Sequence, residues 1–213
     1  MNGEHAMGVR PARPGEGGAL APLLYEVSPE AHERFAGDRE RALRLIVTAF
    51  ERGGNSGSAE VMRVAEVGAE HAGVICCYPV WEAPARARAF LRLGLDAAPR
   101  RRRLVMHAFL FRMQRATPVP PRESLYVDAL ATAPAFRRSG VGRALLAAAE
   151  EHARRHGLIR VALETEVTNA PARALYESCG FVAGAEGPRV RGVPRYIAYV
   201  RELGAPGVTP RGP

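Results

Sequence analysis

A short segment rich in arginine and glycine, residues 137–143, stands between a strand-like and a helix-like stretch and could bind an anion. Backbone N–H groups at a helix start have no partner inside the helix and carry the positive end of its dipole, so a phosphate there accepts several hydrogen bonds. Gly140 and Gly142 lack the Cβ atoms that would hold a phosphate at a distance. The three arginines of the segment suit a ligand with several phosphate charges.

The glycine pair alone does not decide the ligand, because such a pair before a helix also forms an ordinary tight turn. The sequence lacks the G-x-x-x-x-G-K-[ST] pattern of nucleotide hydrolases. It also lacks a G-x-G-x-x-G turn followed by an acidic residue after the next strand, as dinucleotide redox enzymes have. The loop therefore favours a phosphate-bearing ligand outside these two classes, with a plain turn as the alternative.

Strands and helices alternate around this loop, which indicates a single α/β or α+β domain. In the second half of the chain, strands are predicted at 125–130, 158–167, 181–185 and 196–201. Helices are predicted at 141–156, which Gly157 ends, and at 171–178.

The first half is predicted to contribute strands at 9–12, 61–67 and 73–80, with residues 68–72 as a turn. Helices are expected at 16–25 and 31–52, followed by a flexible loop at 53–58. The pattern from 81 to 115 is helical with an interruption at Pro99, and a proline-rich linker follows it. We expect one domain over 9–203 with a helical insertion at 81–116, and flexible termini at 1–8 and 204–213.

Two blocks of sequence extend the loop motif. Residues 125–146 read LYVDALATAPAFRRSGVGRALL, and residues 169–181 read NAPARALYESCGF. The first resembles the acetyl-CoA signature of the GNAT N-acetyltransferase superfamily, and the second is similar to that family's second conserved block. The resemblance implies a central mixed, mostly antiparallel sheet of six to seven strands, flanked by helices. It also implies a bulged, splayed strand that binds acetyl-CoA.

By the same resemblance the protein is an enzyme that transfers the acetyl group of acetyl-CoA to a primary amine, with coenzyme A as product. The amine would belong to a small molecule or to a peptide or protein N-terminus. The family's cofactor contacts map onto Leu130, Ala131, Thr132, Arg137, Arg138, Ser139, Gly140, Val141, Gly142, Arg143, Asn169, Ala172 and Tyr176.

Four of these residues have a more specific implied role. Leu130 and Thr132 would offer main-chain groups to the cofactor, with the Leu130 N–H near the thioester oxygen. Tyr176 stands where the family often places its general acid, and a buried tyrosine bonded to backbone is the alternative. Asn169 would bind the pantetheine arm, and it is also a suitable helix cap.

The general base is implied by a narrower resemblance. Glu164 follows a leucine and precedes Tyr176 by twelve residues, as in enzymes that acetylate the N-terminal amine of a ribosomal protein. A carboxylate there could take the ammonium proton directly or through water. Other groups could act as the base instead: Glu166 on the same strand face, Asp128 on the adjacent strand, His107 if the inserted helices fold over the cleft, or an ordered water chain. Glu164 could also be an ordinary solvent-facing residue.

The inserted segment at 81–116 has no counterpart in a minimal family member, so the acceptor stays open. Its large apolar residues could form a lid over a small hydrophobic amine or an ordinary core. They are Trp81, Phe90, Met106, Phe109, Phe111 and Met113. The sequence around Glu164 resembles both protein N-terminal and antibiotic acetyltransferases.

The net charge of +8 and the isoelectric point near 10.2 raise the alternative of a nucleic-acid-binding protein. Every basic residue is arginine, however, which is typical of a GC-rich genome, and no nucleic-acid-binding motif is present. The arginine run at 100–103 is interpreted as a solvated helix start, with a phosphate or nucleic-acid site as the alternative. A non-catalytic acyl-CoA-binding domain of the same fold is a further alternative.

The remaining sequence features point to a soluble protein of a reducing compartment. Adjacent Cys76 and Cys77 are expected on opposite faces of a strand, and three cysteines do not make a disulfide framework. No secretory or membrane-spanning stretch is seen, so a cytoplasmic location is predicted. We predict no metal site and no nucleic-acid or membrane partner, and leave a homodimer open.

Overall fold

The computed structural model of the protein describes residues 7–204. Its centre is one seven-stranded sheet in the order β1-β2-β3-β4-β5-β7-β6. The strands are β1 (Met7–Pro11), β2 (Met62–Val67), β3 (Glu70–Pro79), β4 (Ser124–Thr132), β5 (Arg160–Glu166), β6 (Val182–Glu186) and β7 (Tyr196–Glu202). Neighbours pair antiparallel except β4 and β5, which are parallel. The predicted fold class, a mostly antiparallel mixed sheet flanked by helices, is confirmed.

Helices cover both faces of this sheet. They are α1 (Gly17–Tyr25), α2 (Pro29–Ala36), α3 (Arg39–Glu51), α4 (Ala83–Ala97), α5 (Arg100–Ala116), α6 (Val141–Arg155) and α7 (Ala170–Ser178). Helices α6 and α7 pack on one face, and α1 and α3 pack on the other. Cys77 belongs to the first core and Cys76 to the second, so the predicted alternation of the two cysteines is confirmed.

Helix α6 forms where the sequence predicts it, because its apolar residues recur at helical spacing along one side. Val141, Leu145, Leu146 and Ala149 are all buried against the sheet. Gly157, with φ +68°, follows the helix and provides the left-handed residue that commonly ends one. The position of this helix places its start at the carboxyl end of β4.

The predicted helix at 31–52 is wrong in one respect, because it is two helices. Gly37 has φ +121° and ends α2, and the Asp38 carboxylate accepts a hydrogen bond from Arg41 N at 2.9 Å to begin α3. The loop at 53–58, expected to be flexible, is held by the buried side chain of Asn55, which donates to the carbonyl of Ala49 at 2.9 Å.

The insertion forms the two helices α4 and α5, which separate at Pro99 as predicted. Together with α2 and α3 they enclose a third apolar core containing Phe35, Leu45, Met106 and Phe109. The expected flexible termini, 1–8 and 204–213, lie outside the described residues except for Met7 and Gly8, which belong to β1, and Gly204. Between residues 7 and 204 no helix has the length and apolar character to cross a membrane.

Candidate active site

Strands β4 and β5 separate halfway along β4. Their parallel pairing ends at Val127 and Leu163. On the other side of β4, the register with β3 shifts between Cys76 and Cys77, so Asp128 is an extra residue without an opposite partner. The bulge and the splay that the family resemblance implied are therefore both present, and the second half of β4 has a free edge.

The backbone of that free edge faces the gap between the two strands. Ala133 N donates to Ala72 O on β3 at 2.9 Å. Because successive residues of an antiparallel strand direct their N–H and C=O groups to opposite sides, those of Leu130 and Thr132 point away from β3, toward the gap. These are the two residues that the resemblance selects for main-chain contacts.

The arginine- and glycine-rich loop ends at the N-terminus of α6, beside this gap. Gly140 and Arg138 both have a left-handed backbone conformation, with φ of +91° and +64°. This conformation is uncommon for a residue such as Arg138 that has a side chain. The first helical hydrogen bond runs from Ala144 N to Gly140 O, so the amides of residues 141–143 precede it. Within the described residues no side chain caps this helix start. The result is a concave group of backbone donors suited to an anion.

The two glycines of this loop have different surroundings. A Cβ atom at Gly142 would lie 2.8 Å from Leu175 Cδ2, so this glycine lets α6 approach α7 closely. It also lines the cleft, so the room that it was expected to leave for a phosphate stays a prediction. At Gly140 the added Cβ would have space, and only its positive φ favours glycine.

A large cleft of about 1320 Å³ runs from the loop along the free edge of β4. The structure brings together most residues that the sequence selects for the cofactor. Those lining the cleft are Leu130, Ala131, Thr132, Arg137, Arg138, Gly140, Gly142, Arg143, Asn169, Ala172 and Tyr176. Two do not line it: Val141 is buried in the core, and the Ser139 hydroxyl donates to Phe136 O at 2.6 Å.

Side chains around the loop leave part of its charge available. Arg143 donates to both Ser178 O and Ser178 Oγ at 3.1 Å, which holds its guanidinium against the end of α7. Within residues 7–204, Arg137 and Arg138 form no salt bridge, and both are exposed. Asn169 caps α7 by accepting from Ala172 N at 3.2 Å, so the predicted capping role is present.

Tyr176 lines the cleft, and its ring packs against Tyr199 and Phe181. Its side chain is nearly buried, yet its hydroxyl makes no hydrogen bond to any other described residue. The alternative of a tyrosine bonded to backbone therefore finds no support. Burial, with smaller contributions from Glu164 and Tyr199, raises the pKa of Tyr176 to about 12, so the hydroxyl keeps its proton at neutral pH.

Glu164 lines the same cleft from β5 and accepts a hydrogen bond from the hydroxyl of Tyr126 at 2.5 Å. Burial raises the pKa of Glu164 to about 7, the hydrogen bond from Tyr126 partly opposes this, and nearby Asp128 raises it further. Sequence reasoning missed Tyr126. Strand alternation could have indicated it, because Tyr126 lies opposite Ala162, two residues before Glu164 on the neighbouring strand.

The other candidate bases differ in their placement. Asp128 opens into the cleft and keeps accessible surface there, but surrounding protein desolvates it enough to raise its pKa to about 6. Glu166 also lines the cleft, and burial followed by the charge of Glu30 raises its pKa. His107, an alternative base only if the inserted helices brought it over the cleft, is exposed on α5 and lies outside the cleft lining.

The inserted helices contribute the wall at the other end of the cleft. Phe90, Phe109 and Met113 line it. Met106 is instead core, whereas Trp81 and Phe111 are exposed by 62% and 60% and lie outside the cleft lining. Three of the six residues thus line the cleft, Phe109 among them also belongs to the third apolar core, and a lid over an amine stays a prediction.

A separate cluster on the opposite part of the sheet resembles a metal site only in composition. Glu16, Glu66 and His71 have ligand atoms within 4.8 Å of one another. Arg10 forms a salt bridge with each glutamate at 2.5 Å and is itself surrounded by them. The four side chains therefore form a compact ion-pair network.

These features agree with the comparison to known proteins. The chain belongs to the acetyltransferase (GNAT) family, whose model matches residues 24–181. Members of this family use acetyl-CoA. No curated protein matches the sequence.

Solved structures share the fold at low sequence identity. An N-acetyltransferase from Staphylococcus aureus Mu50 is 19% identical with a TM-score of 0.72, and the match covers 91% of this chain and 100% of that one. The ribosomal-protein-S18-alanine N-acetyltransferase from Escherichia coli is 16% identical with a TM-score of 0.52, covering 95% and 97%. At these identities the likeness concerns the fold.

Proposed function

We propose that this protein transfers the acetyl group of acetyl-CoA to a primary amine of a small molecule or peptide. The observation that carries the proposal is the unbonded hydroxyl of Tyr176, in one cleft with Glu164 and with the amides at the start of α6. A proton donor, a proton acceptor and an anion-binding loop are the groups that acetyl transfer from a thioester requires.

The residues that line the cleft are suited to bind acetyl-CoA. When bound, it would supply the acetyl group as a thioester. The amides of residues 141–143, with Arg137 and Arg138, would hold the pyrophosphate. The free edge of β4 offers the backbone groups of Leu130 and Thr132 to the amide-containing pantetheine arm. Asn169 uses its carbonyl oxygen for the helix cap, which leaves its side-chain NH₂ for the same arm.

Glu164 is proposed as the general base. An acceptor amine enters as an ammonium ion and must lose a proton before it can attack a carbonyl carbon. A carboxylate whose pKa is about 7 binds that proton more readily than an ordinary glutamate does, and is still ionised in part at neutral pH. Tyr126 orients this carboxylate toward the cleft. Asp128 is the second candidate, since its pKa of about 6 serves the same purpose.

Tyr176 is proposed as the general acid. As the new N–C bond forms, the C–S bond breaks and the sulfur leaves with an electron pair. The amine nitrogen loses two protons, the first to Glu164 before attack and the second after the N–C bond has formed. The Tyr176 hydroxyl donates its proton to the sulfur and is restored by the second of these protons, while Glu164 releases the first to solvent. The Leu130 N–H, directed into the gap, is placed to stabilise negative charge on the carbonyl oxygen.

A two-stage assay tests this proposal. Calorimetry with the full chain and acetyl-CoA measures binding, and a panel of amines and short peptides then reports acetyl-CoA-dependent thiol release. We expect binding and release together. Binding without release from any acceptor would indicate a non-catalytic acyl-CoA-binding protein, and absence of binding would reject the proposal altogether.

A further inference from the structure

Charge is segregated along the cleft. Its arginines lie in the loop before α6, where Arg137 and Arg138 stand, and in the first turn of α6, where Arg143 stands. The carboxylates that line it all lie beyond that loop, and they are Glu26, Asp128, Glu164 and Glu166. His32 also lines this acidic half, and burial lowers its pKa, so it carries no charge at neutral pH. Among the described residues, the half of the cleft away from the loop thus has only negative formal charge.

An aromatic wall borders the acidic half. The rings of Phe35 from α2 and Phe90 from α4 stack with centroids 5.7 Å apart. Phe109 and Met113 of α5 continue the wall, and the Met113 sulfur accepts a hydrogen bond from the Tyr196 hydroxyl at 3.9 Å. Phe90 and Met113 are only partly buried, so apolar surface remains open to an occupant of the cleft.

We propose that the acceptor is a small amphiphilic amine, with one primary ammonium group joined by a short linker to an aromatic ring. This inference rests on the proposed acetyl transfer and names its substrate class. The ammonium group would lie among Asp128, Glu164 and Glu166, and the ring would cover Phe90 and Met113. Burying the ring against these side chains removes apolar surface of both partners from water.

Two other cationic acceptors fit this cleft less well. A linear polyamine would place a second, strongly hydrated ammonium against the uncharged side chains of the aromatic wall, and losing its water there is unfavourable. A peptide would bring a row of backbone N–H and C=O groups against Phe35, Phe90 and Phe109, none of which forms hydrogen bonds through its side chain. Both are included in the test as competitors.

The test compares thiol release with ethylamine, 2-phenylethylamine, 1,4-diaminobutane and the peptide Phe-Gly-Gly at saturating acetyl-CoA. We expect kcat/KM for 2-phenylethylamine to exceed that for ethylamine by about tenfold or more. It should also exceed the values for the diamine and the peptide. Equal values, or a preference for the diamine or peptide, would overturn the inference.

A matched pair of variants locates the preference. Phe90→Ala removes a ring that lines the cleft, whereas Phe111→Ala removes a ring that is 60% exposed and outside the lining. We expect Phe90→Ala to reduce the ratio of the phenylethylamine and ethylamine values several-fold and Phe111→Ala to leave it unchanged. Met113→Ala serves the same purpose if Phe90→Ala melts at a much lower temperature. An unchanged ratio in the folded cleft variant would overturn the inference.

The outcomes separate this inference from the proposal on which it depends. If acetyl-CoA binds and all amines react at comparable rates, acetyl transfer stands and the aromatic acceptor is rejected. If acetyl-CoA does not bind, or binds and no amine or peptide reacts, acetyl transfer itself is rejected and the acceptor inference falls with it.

Discussion

The hydroxyl of Tyr126 donates to Glu164 Oε1 across 2.5 Å at the point where β4 and β5 part. The last parallel pair joins Val127 to Leu163. Tyr126 directly precedes Val127 on β4, and Glu164 directly follows Leu163 on β5. The contact therefore holds a carboxylate at the mouth of the gap. It also stabilises the charged form of Glu164 against the burial that raises its pKa.

Removing this hydrogen bond should move the pH dependence of the reaction. In Tyr126→Phe the carboxylate loses a donor that favours its charged form, so the pKa of Glu164 should rise above its present value of about 7. The acidic limb of kcat/KM against pH should shift to higher pH, with activity at pH 7 reduced and activity at pH 9 largely kept. Tyr25→Phe is the control, since the Tyr25 hydroxyl bonds Glu33 outside the cleft. Coincident acidic limbs in Tyr126→Phe and wild type would contradict the prediction.

Glu164→Gln should lower turnover and raise stability in alkaline solution. As a general base, Glu164 should contribute roughly 10²–10⁴-fold to the rate. Its pKa of about 7 in the folded protein lies above the ordinary glutamate value of 4.5, so the stability that Glu164 contributes is present below about 4.5 and is lost as pH rises through about 7. The glutamine variant should therefore melt above wild type at pH 8, with a smaller difference at pH 5.5. Thermal melts at both pH values check this, and a constant difference would exclude titration of Glu164 as the cause.

Tyr176→Phe should impair chemistry without preventing cofactor binding. The pKa of Tyr176, about 12, keeps the hydroxyl protonated, and no other described residue competes for it. We expect kcat to fall by roughly 10²–10⁴-fold. Calorimetry should give an acetyl-CoA affinity close to that of wild type. An undiminished kcat, measured where acetyl transfer is the slow step, would remove Tyr176 from the mechanism.

Gly142→Ala should destabilise the protein because its new methyl group meets Leu175 at 2.8 Å. Leu175 is only partly buried and its Cδ2 atom ends a flexible side chain, so we expect a loss near the lower end of the about 1–3 kcal/mol that overpacking costs in the free energy of unfolding. Chemical denaturation measures the loss. In the double variant Gly142→Ala with Leu175→Ala the clash is gone, so the alanine at 142 should no longer lower the free energy of unfolding. A loss of acetyl-CoA affinity at unchanged stability would show instead that this side chain points into the ligand site.

The parts of the candidate site that lie close together in the chain were predictable. Residues 137–143 indicate a helix start with exposed amides, and Asn169 indicates the cap of α7. Both structures depend only on residues that are neighbours in the chain. The split of 31–52 into two helices was missed for a local reason. Gly37 is a signal that ends a helix, and Asp38 is a signal that begins the next one. The apolar residues keep helical spacing across both positions, which favoured a single helix.

By itself, the sequence determined the family, the alternation of strands and helices, and the residues that could carry an acid, a base and an anion-binding loop. Only the tertiary structure decided which carboxylate meets Tyr126, that Gly142 lies against Leu175 of α7, that His107 is outside the cleft lining, and that Phe90 and Met113 line the cleft. The physical reason is that local backbone preferences follow from neighbours in the chain. The arrangement of α4, α5 and β5 around one cleft depends on strand register and on packing across long sequence separations.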